Sequence, residues 1–197
     1  MGAFSPDGHT LATSTLVDYG DTYEEQVRLW DTSTGHLRTI LKGARSGGAF
    51  SPDGRTLASS TYDGTVRLWD ISTRRTRTTL ITLTGHRDIG TQVAFSPDGR
   101  TLAIGSDDGR VRLWDTSTGR TRTTLTGHDE PVYAVAFRDR RTLVTVGEEA
   151  TSRLWDVELP DEATAINKIC QAVGRDLTAE ERGLYLAGQT PGPVCPT

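Results

Sequence analysis

Lysine is almost missing from this chain: Lys42 and Lys168 are the only two in 197 residues, so its positive charge is nearly all arginine. With 22 basic against 26 acidic side chains the net charge is −4, which argues against nucleic acid as a partner. Cysteine is as scarce. Cys170 and Cys195 have no metal-ligand spacing; they can pair with each other, but free thiols in a reducing compartment are the default. No run approaches the roughly 18 consecutive apolar residues of a membrane span. Met1-Gly2-Ala3-Phe4-Ser5-Pro6 has neither the basic start nor the apolar run of a signal peptide. A cytoplasmic protein with no membrane partner is therefore expected. Gly-x-Ser-x-Gly, P-loop, Cys-x-x-Cys and His-Glu-x-x-His motifs are all absent. The expectation is no enzyme, no metal and no cofactor.

What is present is repetition. Val27-Arg28-Leu29-Trp30-Asp31 returns as Val66–Asp70, as Val111–Asp115 and, opening on serine, as Ser152–Asp156. Phe-Ser-Pro-Asp-Gly stands at Phe4–Gly8, Phe50–Gly54 and Phe95–Gly99, with a degraded copy opening at Phe137. The phenylalanines are 46, 45 and 42 residues apart. A period in the forties, each unit closed by Trp-Asp, is the signature of a four-stranded propeller blade. The fold class expected is all-β, a partial β-propeller of about four blades in an open arc.

The third repeat shows the strands. Thr91–Phe95 alternates toward an apolar face and ends at Ser96-Pro97-Asp98-Gly99, where proline fixes φ and glycine supplies a positive φ. Leu102–Ser106 is a second strand, turned by Asp107-Asp108-Gly109. Val111–Trp114 is a third, with Val111 and Leu113 on one face and Arg112 and Trp114 on the other. Arg120–Leu125, arginine alternating with threonine, suits an outer edge. No aromatic side chains interleave it, so it does not resemble a nucleic-acid track. Asp98, Asp107 and Asp108 are expected to serve turns, and His9 and His36 to sit in exposed corners.

Gly85-His86 and Gly127-His128, together with the four Trp-Asp pairs, resemble the WD-repeat family over about residues 3–157. The resemblance implies a buried network in each blade, linking the Gly-His histidine, a hydroxyl on the second strand, the turn aspartate and the Trp indole. A buried imidazole and indole both need such partners. By position the network residues are Ser59, Asp63 and Trp69 in blade two, and His86, Asp108 and Trp114 in blade three. In blade four they are His128, Thr145 and Trp155, with Glu149 in the place of aspartate. Ala44 replaces the histidine of blade two, Ile104 the hydroxyl of blade three, and blade one keeps Thr13 and Trp30 alone.

The domains expected are 1–157, propeller blades with the first and last incomplete, and 158–197, a two-helix extension with a loose tail. Asp161 can cap a helix ending at Gly174, and Thr178-Ala179-Glu180-Glu181 opens a second one. This helical hairpin resembles the C-terminal extension on the propellers of large bacterial signalling proteins, of which the chain would be the C-terminal propeller portion. Upstream blades missing from a longer propeller would account for the raw strand edges; self-association through those edges is the second account.

Trp30 lies 26 residues after Phe4, against 19 for the matching pairs of blades two and three. The seven added residues fall between strands two and three, in a loop carrying Asp18, Tyr19, Asp21, Tyr23, Glu24 and Glu25. Aromatics supply contact area and carboxylates steer basic partners, so the segment resembles a protein-binding loop. A solvated insertion is the competing reading. The function expected is a non-enzymatic scaffold binding protein or peptide, with a basic surface favoured. The alternative is a sensor or regulatory segment of a larger bacterial signalling ATPase, inactive by itself.

Overall fold

The computed structural model describes residues 2–18, 20, 23–45, 48–61, 64–72, 77–83 and 92–157, with Asp18, Tyr23 and 77–83 described by their backbone. The helical hairpin expected over 158–197 lies outside the described residues. So do Tyr19, Asp21, Asp63 and His86. The chain divides into two compact units, Met1–Val157 and Glu158–Thr197.

The first unit is all-β, and alternation of apolar and polar residues explains its strands. They are β1 (Gly2–Phe4), β2 (Thr10–Asp18), β3 (Tyr23–Asp31), β4 (Leu37–Lys42), β5 (Ala49–Phe50), β6 (Thr56–Ser60), β7 (Val66–Asp70) and β8 (Arg77–Leu83). The series continues with β9 (Gln92–Phe95), β10 (Thr101–Gly105), β11 (Val111–Asp115), β12 (Thr121–Leu125), β13 (Val132–Phe137), β14 (Thr142–Gly147) and β15 (Ser152–Asp156). They form four antiparallel meanders in chain order, β1–β4, β5–β8, β9–β12 and β13–β15. This is a partial propeller of four small blades. In blades one and three the ladder shifts register at the third-strand tryptophan, between Leu29 and Trp30 and between Leu113 and Trp114. In blade two the shift falls between Leu68 and Asp70.

The Ser-Pro-Asp-Gly turns are built alike. Gly8, Gly54 and Gly99 each donate an amide to the preceding serine carbonyl at 2.8 Å. The buried hydroxyls of Ser5, Ser51 and Ser96 donate to Asp7, Asp53 and Asp98 at 2.5, 2.6 and 2.6 Å. Those hydroxyls, followed by nearby backbone amides, hold all three carboxyls below their ordinary range. The turns also register the blades: a Cβ on Gly54 would meet Pro6 Cδ at 3.7 Å, and one on Gly99 would meet Pro52 Cδ at 3.5 Å.

Trp-Asp aspartates close the next turn. Asp31 Oδ1 accepts from the Ser33 hydroxyl (2.6 Å) and the Thr34 amide (3.1 Å), contacts that bring its pKa down to about 2. Asp115 repeats this with Ser117 and Thr118 and adds Arg122; the Ser117 hydroxyl is the main cause of its strongly lowered pKa.

The core lies between blades. Ala12, Val27 and Leu29 of blade one pack with Leu57 and Trp69 of blade two. Ala58, Val66 and Leu68 of blade two meet Leu102, Ile104 and Trp114 of blade three. Ala103, Val111 and Leu113 of blade three meet Val132, Leu143 and Trp155 of blade four. Every blade thus has a leading face, with Phe, Leu and Trp, and a trailing face of smaller aliphatic residues. The innermost strands follow in order, β1 beside β5, β5 beside β9 and β9 beside β13, with no comparable contact from β13 back to β1.

Candidate protein-binding face

Blade four holds the fullest polar network among the described residues. The Trp155 indole donates to Thr145 Oγ1 at 2.8 Å, and that oxygen is 2.7 Å from His128 Nε2. His128 Nδ1 bonds Glu149, whose carboxylate also accepts from the Thr151 hydroxyl at 2.5 Å. An ionised carboxylate only accepts, so Nδ1 carries the proton; Thr145 then donates to Nε2 and accepts from the indole. Every polar hydrogen in this Trp155–Thr145–His128–Glu149–Thr151 relay has a partner. Thr151 and then His128 lower the Glu149 pKa to about 2.

The other blades keep pieces. Trp69 donates to Ser59 Oγ at 2.8 Å, with Ala44 fully buried where a histidine would stand. Trp30 donates to Thr13 Oγ1 at 2.9 Å. In blade three, Ile104 packs as core, and Asp108 meets Arg112 of its own blade through two contacts of 2.7 and 3.3 Å. Burial by itself raises the Asp108 pKa, but Arg112 and the Arg110 amide bring it below the ordinary value. An arginine recurs at this position in all four repeats, as Arg28, Arg67, Arg112 and Arg153, a signal in the sequence for this contact.

These networks are structural. What faces solvent at the same end of the blades is the set of turns joining second to third strands and the links between blades. The described residues of the blade-one insertion do not form the loop expected there. They lengthen a hairpin, with pairing carried through Thr15↔Gln26, Leu16↔Glu25, Val17↔Glu24 and Asp18↔Tyr23. Pairing satisfies backbone groups that a loop would leave to water. Two expected binding acids are engaged within the chain: Glu24 lies 3.6 Å from Lys42 and 3.0 Å from Gln26 Nε2, and Glu25 lies 3.4 Å from Arg45. Lys42 ends β4 and Arg45 follows it, too far along the chain for sequence spacing to pair them with Glu24 and Glu25.

At blades three and four the turn and the link are interlocked. Val132 donates to Ser106 O at 3.1 Å and Glu148 to Pro131 O at 2.9 Å. Gly109, at φ +73°, is hemmed in by the His128 and Glu130 carbonyls. Asp107, Asp129, Glu130 and Glu148 are exposed around this junction, with Arg110 the nearby base. His9 and His36 are exposed turn residues. Among the described residues no group of three or more His, Cys, Asp or Glu could hold a metal ion. No helix among them is long and apolar enough to cross a membrane.

Antiparallel meanders packed face to face, each closed by Trp-Asp and three of them tied by an indole–hydroxyl bond, define a propeller-type repeat protein. A family model described as WD domain, G-beta repeat matches residues 32–70, 77–115 and 119–156, more than half of the chain. The chain belongs to the WD-repeat family. A comparison with curated proteins finds no match.

Proposed function

We propose that this chain is a non-enzymatic WD-repeat platform binding a basic protein or peptide surface at the end of the blades that carries the β2–β3 hairpin. WD-repeat domains generally mediate protein–protein interaction, and the observation favouring this end is its excess of exposed carboxylate. Asp107, Asp129, Glu130 and Glu148 cluster around Arg110, while Glu24 and Glu25 are neutralised internally. Such a field attracts cationic segments and repels nucleic acid. The hairpin segment of the sequence carries Tyr19 and Tyr23, and buried aromatics dominate interface energetics where rim charges mainly set association rate.

Partners captured from cell extract and identified by mass spectrometry, then titrated singly, test this reading. Replacing Tyr19 and Tyr23 together with alanine weakens binding by at least about 2 kcal/mol, whereas Asp129→Asn with Glu130→Gln mainly flattens its salt dependence. Unchanged affinity in both variants, or preferential capture of nucleic acid, overturns it.

A further inference from the structure

The two outermost blade faces carry the pattern of the internal interfaces and, among the described residues, lack their cover. The leading face of blade one presents Phe4, Leu11 and Trp30, at the positions that Phe50, Leu57 and Trp69 hold in blade two. Phe4 is 65% exposed. Trp30 gives its N–H to Thr13 and is left with an apolar ring to bury. The trailing face of blade four presents Val144 and Leu154, at the positions of Ala103 and Leu113. Leu154 is 68% exposed, whereas Leu113 is fully buried against blade four. Two positions depart from the other blades: Ser152 stands where they have valine, and Val144 where they have alanine.

Three times within this chain a trailing face of this composition is covered by a leading face of the other composition. The surface that fits each bare face is therefore the bare face at the opposite end of the same fold. We infer that two copies of this chain associate head to tail, the Phe4–Trp30 face of each covering the Val144–Leu154 face of the other, into a closed ring of eight blades. Such a contact is heterologous, joining different patches, and heterologous contacts close into rings or run on into filaments. Blade number decides between them: two copies make eight blades, the top of the range of about 4–8, and three copies exceed it. This association buries sheet faces rather than pairing strand edges. It also uses a surface apart from the acidic end of the blades, so it stands or falls independently of the proposed partner.

The test is light scattering on the purified full chain with Phe4→Arg and Leu154→Arg, each placing a charge on a residue already exposed in the single chain. The parent should run at twice its 21.4 kDa. Each variant should run at 21.4 kDa with an unchanged circular dichroism spectrum. Mixed in equal amounts the two should recover a species of double mass, because one keeps an intact trailing face and the other an intact leading face. A monomeric parent overturns the inference, as does a parent of three or more copies. So does a single variant that stays dimeric, which would mark a symmetric face-to-itself contact, or a mixture that stays monomeric.

Discussion

The carboxylate of Glu149 lies over Gly147: a Cβ built on the glycine would stand 1.9 Å from Glu149 Oε2. The equivalent positions hold Thr61 and Asp63 in blade two and Ser106 and Asp108 in blade three. Blade four has lengthened the acid by one methylene and removed the side chain beneath it. The two changes make one arrangement, in which the longer acid reaches His128 only because residue 147 leaves room.

Gly147→Ser should therefore destabilise the chain by about 1–3 kcal/mol, through the lost contacts of Glu149 with His128 and Thr151 rather than through backbone strain. In a Glu149→Asp background the same serine should cost little, because the shorter acid vacates the space. Urea unfolding of the four proteins of this cycle should give a coupling of at least about 1 kcal/mol. Additive effects would mean that the two positions are independent.

Ala150 adopts φ +61°, the left-handed region where Gly64 and Gly109 stand in blades two and three. A Cβ in that conformation costs roughly 1–2 kcal/mol, and glycine gives back about 0.5–1 kcal/mol in unfolded-state entropy. Ala150→Gly should stabilise the chain by up to about 1 kcal/mol, read as a higher urea midpoint at unchanged slope. Gly109→Ala should do the reverse and more strongly, since its Cβ would lie 2.6 Å from the His128 carbonyl oxygen.

The strand order and the two faces of the third strand were legible in the sequence because turn chemistry and period-two alternation repeat four times. Trp114 and Leu113 fall on opposite faces of β11, against blades two and four respectively. What stayed hidden depends on partners distant in the chain. No spacing rule joins Glu25 to Arg45, and an acid-rich insertion reads as loop until the pairing of Asp18 with Tyr23 shows a longer hairpin. Asp108 was expected beside His86 and Trp114; its two contacts to Arg112 four residues on belong to turn geometry that composition does not reveal.

Acid should loosen blade four. The Glu149 pKa is about 2 in the folded chain against an ordinary 4.5, so its contribution is complete above pH 4.5 and lost as pH falls toward 2. Glu149→Gln should thus be less stable than the parent at pH 7, with the difference shrinking as the parent carboxylate protonates. Urea midpoints of both proteins between pH 7 and 2 measure this. A difference constant over that range would place the effect outside this carboxylate.

Trp114 is 6% exposed, wedged against Ala58 and Leu68 of the preceding blade. Trp114→Ala should cost on the order of 3–5 kcal/mol, the range for an aromatic side chain removed from a core. Calorimetry showing a loss under about 1 kcal/mol would contradict that packing.

The stretches matched by the family model start just past one Trp-Asp and end on the next, so residues 32–70 hold the outer strand of blade one and the inner three of blade two. The repeat as it recurs in the sequence is thus out of step with the folded blade. A duplication or deletion bounded by Trp-Asp hands an outer strand to the blade before it and inner strands to the blade after, and every sheet so formed is whole. Recombination between such similar segments can change how many blades the descendants carry while leaving each surviving joint between neighbours of the kind already present.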